Sequence, residues 1–122
     1  MRVISDGSWS RVQVVDPSNS EAQLTVVSPA LPLSAYLGVM GMPGATAFFG
    51  LKEAAQFKAG DIVLVSGAAG AVGSAVGQLA RVWGAKKVIG TAGGPAKCKL
   101  VKEKFGFDEC IGTQLRDTAH AE

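Results

Sequence analysis

The chain has 122 residues, 48% of them apolar and 18% charged, with a formal net charge of +2. That balance describes a single globular domain with a modest core and excludes a disordered chain. No basic run exceeds Lys86-Lys87, which argues against nucleic acid or an anionic membrane surface as a partner. Cys98, Cys110 and a lone His120 near a polar end are too scattered for a zinc ribbon, so no metal site is expected and the cysteines read as reduced thiols. The first residues lack the apolar core of a signal peptide and no apolar stretch approaches a membrane span, so a reducing cytoplasmic location is the expectation.

In chain order, Val12-Gln13-Val14-Val15 predicts a short strand ending at the Asp16-Pro17-Ser18-Asn19 turn. Residues 20–34 carry scattered polar and proline signals without a clear element. Ala35-Tyr36-Leu37-Gly38-Val39 suits one or two helical turns, and Gly41-Met42-Pro43-Gly44 reads as a break. A helix is expected over residues 45–57, with Phe48, Phe49 and Leu51 partly toward the core and Lys52, Glu53 and Gln56 solvated. Lys58-Ala59-Gly60-Asp61 is a turn that delivers the next strand.

Residues 61–73 read Asp-Ile-Val-Leu-Val-Ser-Gly-Ala-Ala-Gly-Ala-Val-Gly, an apolar strand running into a small-residue turn and then a helix. This is the pattern of a dinucleotide phosphate cradle: Gly70 lets backbone approach a pyrophosphate, Gly73 lets the helix pack close, and the helix N-terminus offers free N–H groups. Against G-x-G-x-x-G the loop offers Ala68-x-Gly70-x-x-Gly73, with the turn beginning at Gly67. Glycines that serve packing alone are the plainer alternative. Val72, Ala75, Val76, Leu79, Ala80 and Trp83 fall at helical spacing on one stripe, with Gln78 and Arg81 on the outer face. Lys87-Val88-Ile89-Gly90-Thr91 follows as a second strand and completes a right-handed crossover unit. After Ala92-Gly93-Gly94-Pro95, residues 96–105 form a helix closed by Gly106, and residues 107–111 serve as a short third parallel strand.

The nucleotide is selected at the end of the second strand, where NAD-binding proteins carry an acid about 20 residues beyond the glycines. Counting from Gly73 leads to Gly93, and Thr91-Ala92-Gly93-Gly94 contains no acid. Lys97 stands in the first turn of the next helix, where a cation is unfavourable unless an anion lies nearby. A 2′-phosphate is such an anion, so NADP is favoured over NAD; a solvated lysine among Lys99, Lys102 and Lys104 is the plainer alternative.

These residues resemble the zinc-independent branch of the medium-chain dehydrogenase/reductase superfamily, the NADP-dependent alkenal, curcumin and prostaglandin reductases. Residues 37–51 (Leu-Gly-Val-Met-Gly-Met-Pro-Gly-Ala-Thr-Ala-Phe-Phe-Gly-Leu) are similar to the segment joining the catalytic and nucleotide domains. Residues 65–74 are similar to the pyrophosphate loop, and residues 92–98 to the 2′-phosphate segment, with Lys97 on the family's phosphate-binding lysine. The resemblance covers residues 7–111; Gly112-Thr113 stands where the family carries Asn-Tyr or Asp-Tyr, and the tail 114–122 departs from it.

The resemblance implies an α/β fold: a partial Rossmann-type parallel sheet with flanking helices over residues 35–122, preceded by a remnant of a β-rich catalytic domain over 1–34 that includes Gly7-Ser8-Trp9. It implies hydride transfer from NADPH to the β-carbon of an α,β-unsaturated ketone or aldehyde. Met42 and Thr46 would lie beside the nicotinamide; Gly70, Ala71, Val72 and Gly73 would meet the pyrophosphate; Gly93 and Lys97 would face the 2′-phosphate. A core methionine and a helix-start hydroxyl are the plainer readings of Met42 and Thr46. No catalytic residue is assigned, since Tyr36 does not match the tyrosines that orient the enone. Family members run to over twice this length, so impaired turnover is expected of the chain by itself. A quinone-reductase-like activity and a catalytically silent module that pairs its open sheet with a partner protein or a second copy are the alternatives. Such a sheet should have an exposed edge and one poorly covered face.

Overall fold

The computed structural model describes residues 3–5, 14, 16, 18 and 24–113. The strand expected over residues 12–15 lies outside these apart from Val14, which is exposed and in no strand. Trp9 and its neighbours, and the tail from Gln114, also lie outside. At the expected turn, the Ser18 N–H and hydroxyl both donate to Asp16 Oδ1, at 2.9 and 2.6 Å. Strand β1 (Val3–Ser5) pairs antiparallel with β2 (Leu24–Val26), Val3 opposite Val26. β2 arises where the sequence suggested no element, because a three-residue strand is too short to establish an alternating pattern.

Helix α1 (Leu33–Leu37) follows, tied back to the preceding segment by Tyr36, whose hydroxyl accepts from Ser28 N–H at 3.1 Å. Helix α2 (Met42–Phe49) begins inside the expected break. Pro43 is tolerated there because first-turn N–H groups have no helical partner in any case. A Cβ on Gly44 would lie 1.8 Å from the Val39 carbonyl, so the glycine lets the two backbones touch. Beyond Phe49 the helix widens into a π-helical turn (Gly50–Ala54) and stops three residues before the expected end; Gln56 takes a left-handed φ of 49°. Leu51, from that turn, is buried, whereas Phe49 stays exposed.

The remaining elements alternate as expected: β3 (Ile62–Val65), α3 (Ala71–Val82), β4 (Lys87–Ala92), α4 (Pro95–Glu103) and β5 (Glu109–Gly112). The strands form a parallel sheet in the order β3-β4-β5, with Val65 beside Gly90 and Gly90 beside Cys110. Side chains alternate across it. Val65, Val88 and Ala92 are buried on the face that α3 and α4 cover, while Ile62 and Leu64, 61% and 67% exposed, and Ile111 lie on the other. No helix among the described residues is long and apolar enough to cross a membrane.

Of the predicted stripe, Ala80 is buried and Val76, Leu79 and Trp83 pack partly buried against the core, but the row that meets the sheet adds two glycines. Its buried residues are Gly73, Gly77 and Ala80, while Val72 is exposed. Glycine carries no hydropathy signal, so periodicity could not show a row whose purpose is to bring the helix close. The space above Gly77 is filled by Phe107, which the sequence placed in the third strand; β5 starts two residues later, and the Phe107 ring is buried among Val88, Val101 and Ala80. A Cβ on Gly77 would stand 2.0 Å from that ring, and one on Gly90 would be 3.0 Å from it and 2.6 Å from Ala68 Cβ.

Arg81, read as an outer-face residue, is partly exposed but fastens α3 to the turn before β5. Its Nη2 donates to the Gly106 carbonyl at 2.7 Å and pairs with Asp108 Oδ1 at 2.8 Å. Asp108 Oδ2 accepts the Val88 N–H at 2.7 Å. The Arg81 guanidinium, followed by the Val88 N–H, holds the Asp108 carboxyl below its ordinary range. The expectation of reduced thiols is overturned: Cys98 and Cys110 form a disulfide with 5.3 Å between Cα atoms. Cys98 on the sheet-facing side of α4 meets Cys110 on the helix-covered face of β5, and that approach is a product of the crossover that linear spacing does not reveal.

Two outcomes follow from this packing. Gly77→Ala should destabilise the chain by about 1–3 kcal/mol through overpacking against Phe107, and the double variant Gly77→Ala/Phe107→Leu should recover part of the loss in urea unfolding. Because the folded Asp108 carboxyl titrates below its unfolded value, its stabilisation is complete above about pH 4 and is lost as pH falls through the lowered value. The difference in urea midpoint between wild type and Asp108→Asn should therefore be largest near neutrality and shrink on acidification; a gap independent of pH would contradict the assignment.

Candidate functional site

At the carboxyl end of β3 the chain turns through residues 66–70 into α3. Gly67 takes the left-handed φ of 58° that the turn requires, so the task expected of a first glycine falls one residue before Ala68. Ala68 is fully buried and its N–H donates to the Thr91 carbonyl at 2.9 Å, which binds the loop to the end of β4. Gly70 N–H closes the turn on the Gly67 carbonyl at 2.9 Å, and Ser74 N–H makes the first helical bond, to Gly70. The N–H groups of Ala71, Val72 and Gly73 precede that bond and have no partner within the helix. No acid stands in the first turn of α3 to compete for an anion.

A cleft of about 570 Å³ opens above this turn, lined by Ser66, Gly67, Gly70, Ala71, Val72, Gly73 and Val76. Gly73 makes the geometry possible: a Cβ there would lie 2.4 Å from the Gly67 carbonyl oxygen and 2.9 Å from Ala68 Cα. Both contacts are to backbone, which cannot swing aside. The helix end can thus sit directly on the loop, aiming its free amides and positive dipole end at the cleft.

Four predicted residues, Gly70, Ala71, Val72 and Gly73, share this cleft. Gly93 is exposed at the end of β4 and a Cβ on it would meet nothing within 4 Å. Gly94, with φ 88°, caps α4, and Lys97 is exposed in its first turn, which also lacks an acid. Met42 and Thr46 lie one turn apart on α2 and do not line the cleft; Met42 is 81% exposed, and the Thr46 hydroxyl donates to the Met42 carbonyl at 2.8 Å. An apolar cleft of about 360 Å³ lies nearby between α2 and α3, walled by Met40, Gly44, Phe48, Ala75 and Leu79. Sequence reasoning missed Ser66 as a lining residue, although its place directly after the strand was a usable signal. Among the described residues no group of three or more His, Cys, Asp or Glu is placed to hold a metal ion.

A zinc-binding dehydrogenase family model matches residues 71–121. The chain is 46% identical to prostaglandin reductase 1 of Oryctolagus cuniculus over 106 residues, 87% of this chain and 30% of that protein. It is 43% identical to the NADP(+)-dependent 2-alkenal reductase of Nicotiana tabacum over 103 residues, 84% of this chain and 29% of that protein. The crystal structure of CurA in complex with NADPH from Vibrio vulnificus is 46% identical and superposes with a TM-score of 0.69, covering 80% of this chain and 29% of that one. The chain belongs to the medium-chain dehydrogenase/reductase superfamily.

The relatives it matches within that superfamily are prostaglandin and 2-alkenal reductases, and its parallel sheet is the superfamily's Rossmann-like nucleotide-binding architecture. The chain spans about a third of the length of the curated relatives it matches. The family match runs to residue 121, beyond Ile111, the end of the resemblance expected from the motifs.

The two glycines of this medium-chain reductase unit that face different surroundings should respond differently. Gly73→Ala, which forces backbone from backbone, should cost about 1–3 kcal/mol in urea unfolding. Gly93→Ala, opening onto free space, should stay within about 0.5 kcal/mol of wild type.

Proposed function

We propose that this chain supplies the pyrophosphate- and 2′-phosphate-binding part of an NADPH-dependent oxidoreductase that reduces the C=C bond of α,β-unsaturated ketones and aldehydes. The observation that carries the reading is the cleft at the α3 N-terminus, where Gly73 brings three unpaired helix amides onto the loop after β3. The cofactor named for the relatives, NADP(H), has the charge and the backbone-sized approach that such a cradle accommodates. When bound, NADPH supplies the hydride that the β-carbon of the substrate accepts.

In this reading residues 35–122 are the first half of a nucleotide domain and residues 1–34 the end of a β-rich catalytic domain. The amides of Ala71, Val72 and Gly73 donate to the pyrophosphate, and Gly70 admits it without a side chain in the way. At the end of β4 the empty space over Gly93 leaves room for a phosphate where an acid would repel one. The Lys97 ammonium neutralises that phosphate, which removes its conflict with the helix dipole. Met42 and Thr46 flank the nicotinamide end; with its proton donated to Met42, the Thr46 hydroxyl presents lone pairs as an acceptor.

Ile62 and Leu64, exposed on edge strand β3, support a second reading in which the chain self-associates. Titration of the 122-residue chain with NADPH and with NADH, followed by Trp83 fluorescence, separates the two. NADPH should bind in preference, and Lys97→Ala should weaken it about tenfold, or about 1.4 kcal/mol, while leaving NADH within twofold. Equal losses for both nucleotides would remove the role of Lys97. Concentration-dependent dimerisation in sedimentation, without binding of either nucleotide, would favour the second reading.

A further inference from the structure

Cys98 and Cys110 take no part in the cradle, yet their bond reaches the turn that carries Lys97. Cys98 directly follows Lys97 in α4, and its N–H closes the first helical turn on the Gly94 carbonyl at 3.1 Å. Cys110 lies on β5 in register with Gly90 of β4, so it is fixed by the sheet. The disulfide is therefore a covalent strut from the Lys97 turn to the strand beside β4. Little else holds that turn down. Of the nine residues of α4 only Val101, in its second half, is buried, and the N-terminus has no side-chain cap. Pro95, Ala96, Lys97 and Lys99 are all exposed.

The surroundings also suit exchange chemistry. Both cysteines are partly exposed, at the margin of the core around Val88, Val101 and Phe107. Cys98 is flanked by Lys97 and Lys99 within the first turns of a helix, an environment that stabilises a thiolate and makes Cys98 the attacking sulfur.

We propose that Cys98 and Cys110 are a thiol–disulfide exchange site for low-molecular-weight disulfides of the glutathione type, and that closing the bond clamps Lys97 for phosphate binding. In the forward direction the Cys98 thiolate attacks one sulfur of the small disulfide and expels one small thiolate, leaving a mixed disulfide on Cys98. The Cys110 thiolate then attacks Cys98 Sγ, forms the intramolecular bond and expels the second small thiolate. Two protein thiols are oxidised, one small disulfide is reduced to two thiols, and the two protons lost by the cysteines pass to the leaving groups. The ratio of small disulfide to small thiol sets the state of the pair, and the state of the pair sets how firmly the ammonium of Lys97 is held. The consequence for affinity rests on the NADPH reading above; the strut itself does not.

The test uses the 122-residue chain equilibrated with glutathione disulfide or with dithiothreitol, its thiols counted by mass spectrometry after alkylation. Hydrogen exchange over residues 96–101 and titrations with NADPH and NADH are run on both forms. Reduction should speed exchange of the amides from Cys98 to Val101 at least about fivefold and weaken NADPH about three- to tenfold, with NADH within twofold. Cys110→Ser should stop at the mixed disulfide on Cys98, Cys98→Ser should form no internal bond, and both should show the fast amide exchange of the reduced chain. Unchanged exchange in a chain shown to carry two free thiols would overturn the proposal, as would glutathione disulfide giving the wild-type chain mixed disulfides without ring closure. Faster exchange with unaltered NADPH affinity would overturn the clamp on Lys97. If exchange responds but neither form binds NADPH, the strut stands and the nucleotide reading fails.

Discussion

The approach of α3 to the sheet is the constraint on which the rest of the structure depends. It is achieved by leaving out side chains: Gly73 over the loop, Gly77 over Phe107 and Gly90 beneath the same ring. Packing of this kind yields dispersion energy only at close range, because a gap of even half an ångström forfeits much of each contact. Phe107 occupies the space that the glycines release and joins α3, β4 and α4 into one core with Val88 and Val101. Arg81 and Asp108 complete the arrangement at its rim, where an ion pair and the Arg81–Gly106 hydrogen bond lock the turn before β5 to the end of α3, and the Val88 N–H to Asp108 bond ties it to β4.

The same close approach generates the site. A helix held some ångströms further from the loop would present its N-terminal amides to solvent; held on the Gly67 carbonyl, it presents them to a cleft whose floor is β3. The proposed binding of a pyrophosphate therefore needs no charged side chain in the cradle itself, only free N–H groups and the helix dipole. Charge enters at a second place, the first turn of α4, where Lys97 stands on an otherwise lightly buried helix. The disulfide from Cys98 to Cys110 bears on this asymmetry, since it fastens the less well packed of the two helices at the end where Lys97 lies.

Among the described residues the sheet is covered on one face. Val63, Val65, Val88 and Ala92 face the helices, and Ile62, Leu64, Ile89 and Ile111 face away from them. Parallel sheets are ordinarily covered on both faces. The exposed residues are β-branched or large and apolar, as suits burial, and the chain corresponds to only about a third of the length of its curated relatives.

Much of this was legible in the sequence. The order of β3, α3, β4 and α4, the loop at residues 66–70, the close packing at Gly73 and the place of Lys97 in the first turn of α4 follow from local patterns: apolar runs bounded by glycine, helical spacing and the absence of an acid after β4. Those signals are local because strands, caps and tight turns are decided by neighbouring residues. The tertiary structure alone decided the rest. Gly77 carries no hydropathy, so its contact with Phe107 appears only when the crossover brings residues thirty apart together. Arg81 looks like a solvated residue until Gly106 and Asp108 arrive beside it, and Cys98 and Cys110 look like separate thiols until α4 lies on β5. The start of α2 at Met42 and the π-helical turn after Phe49 depend on backbone contacts that residue preferences do not encode. Sequence determines which segments turn, extend or coil; close approach between segments distant along the chain depends on three-dimensional distance, and only the folded arrangement supplies it.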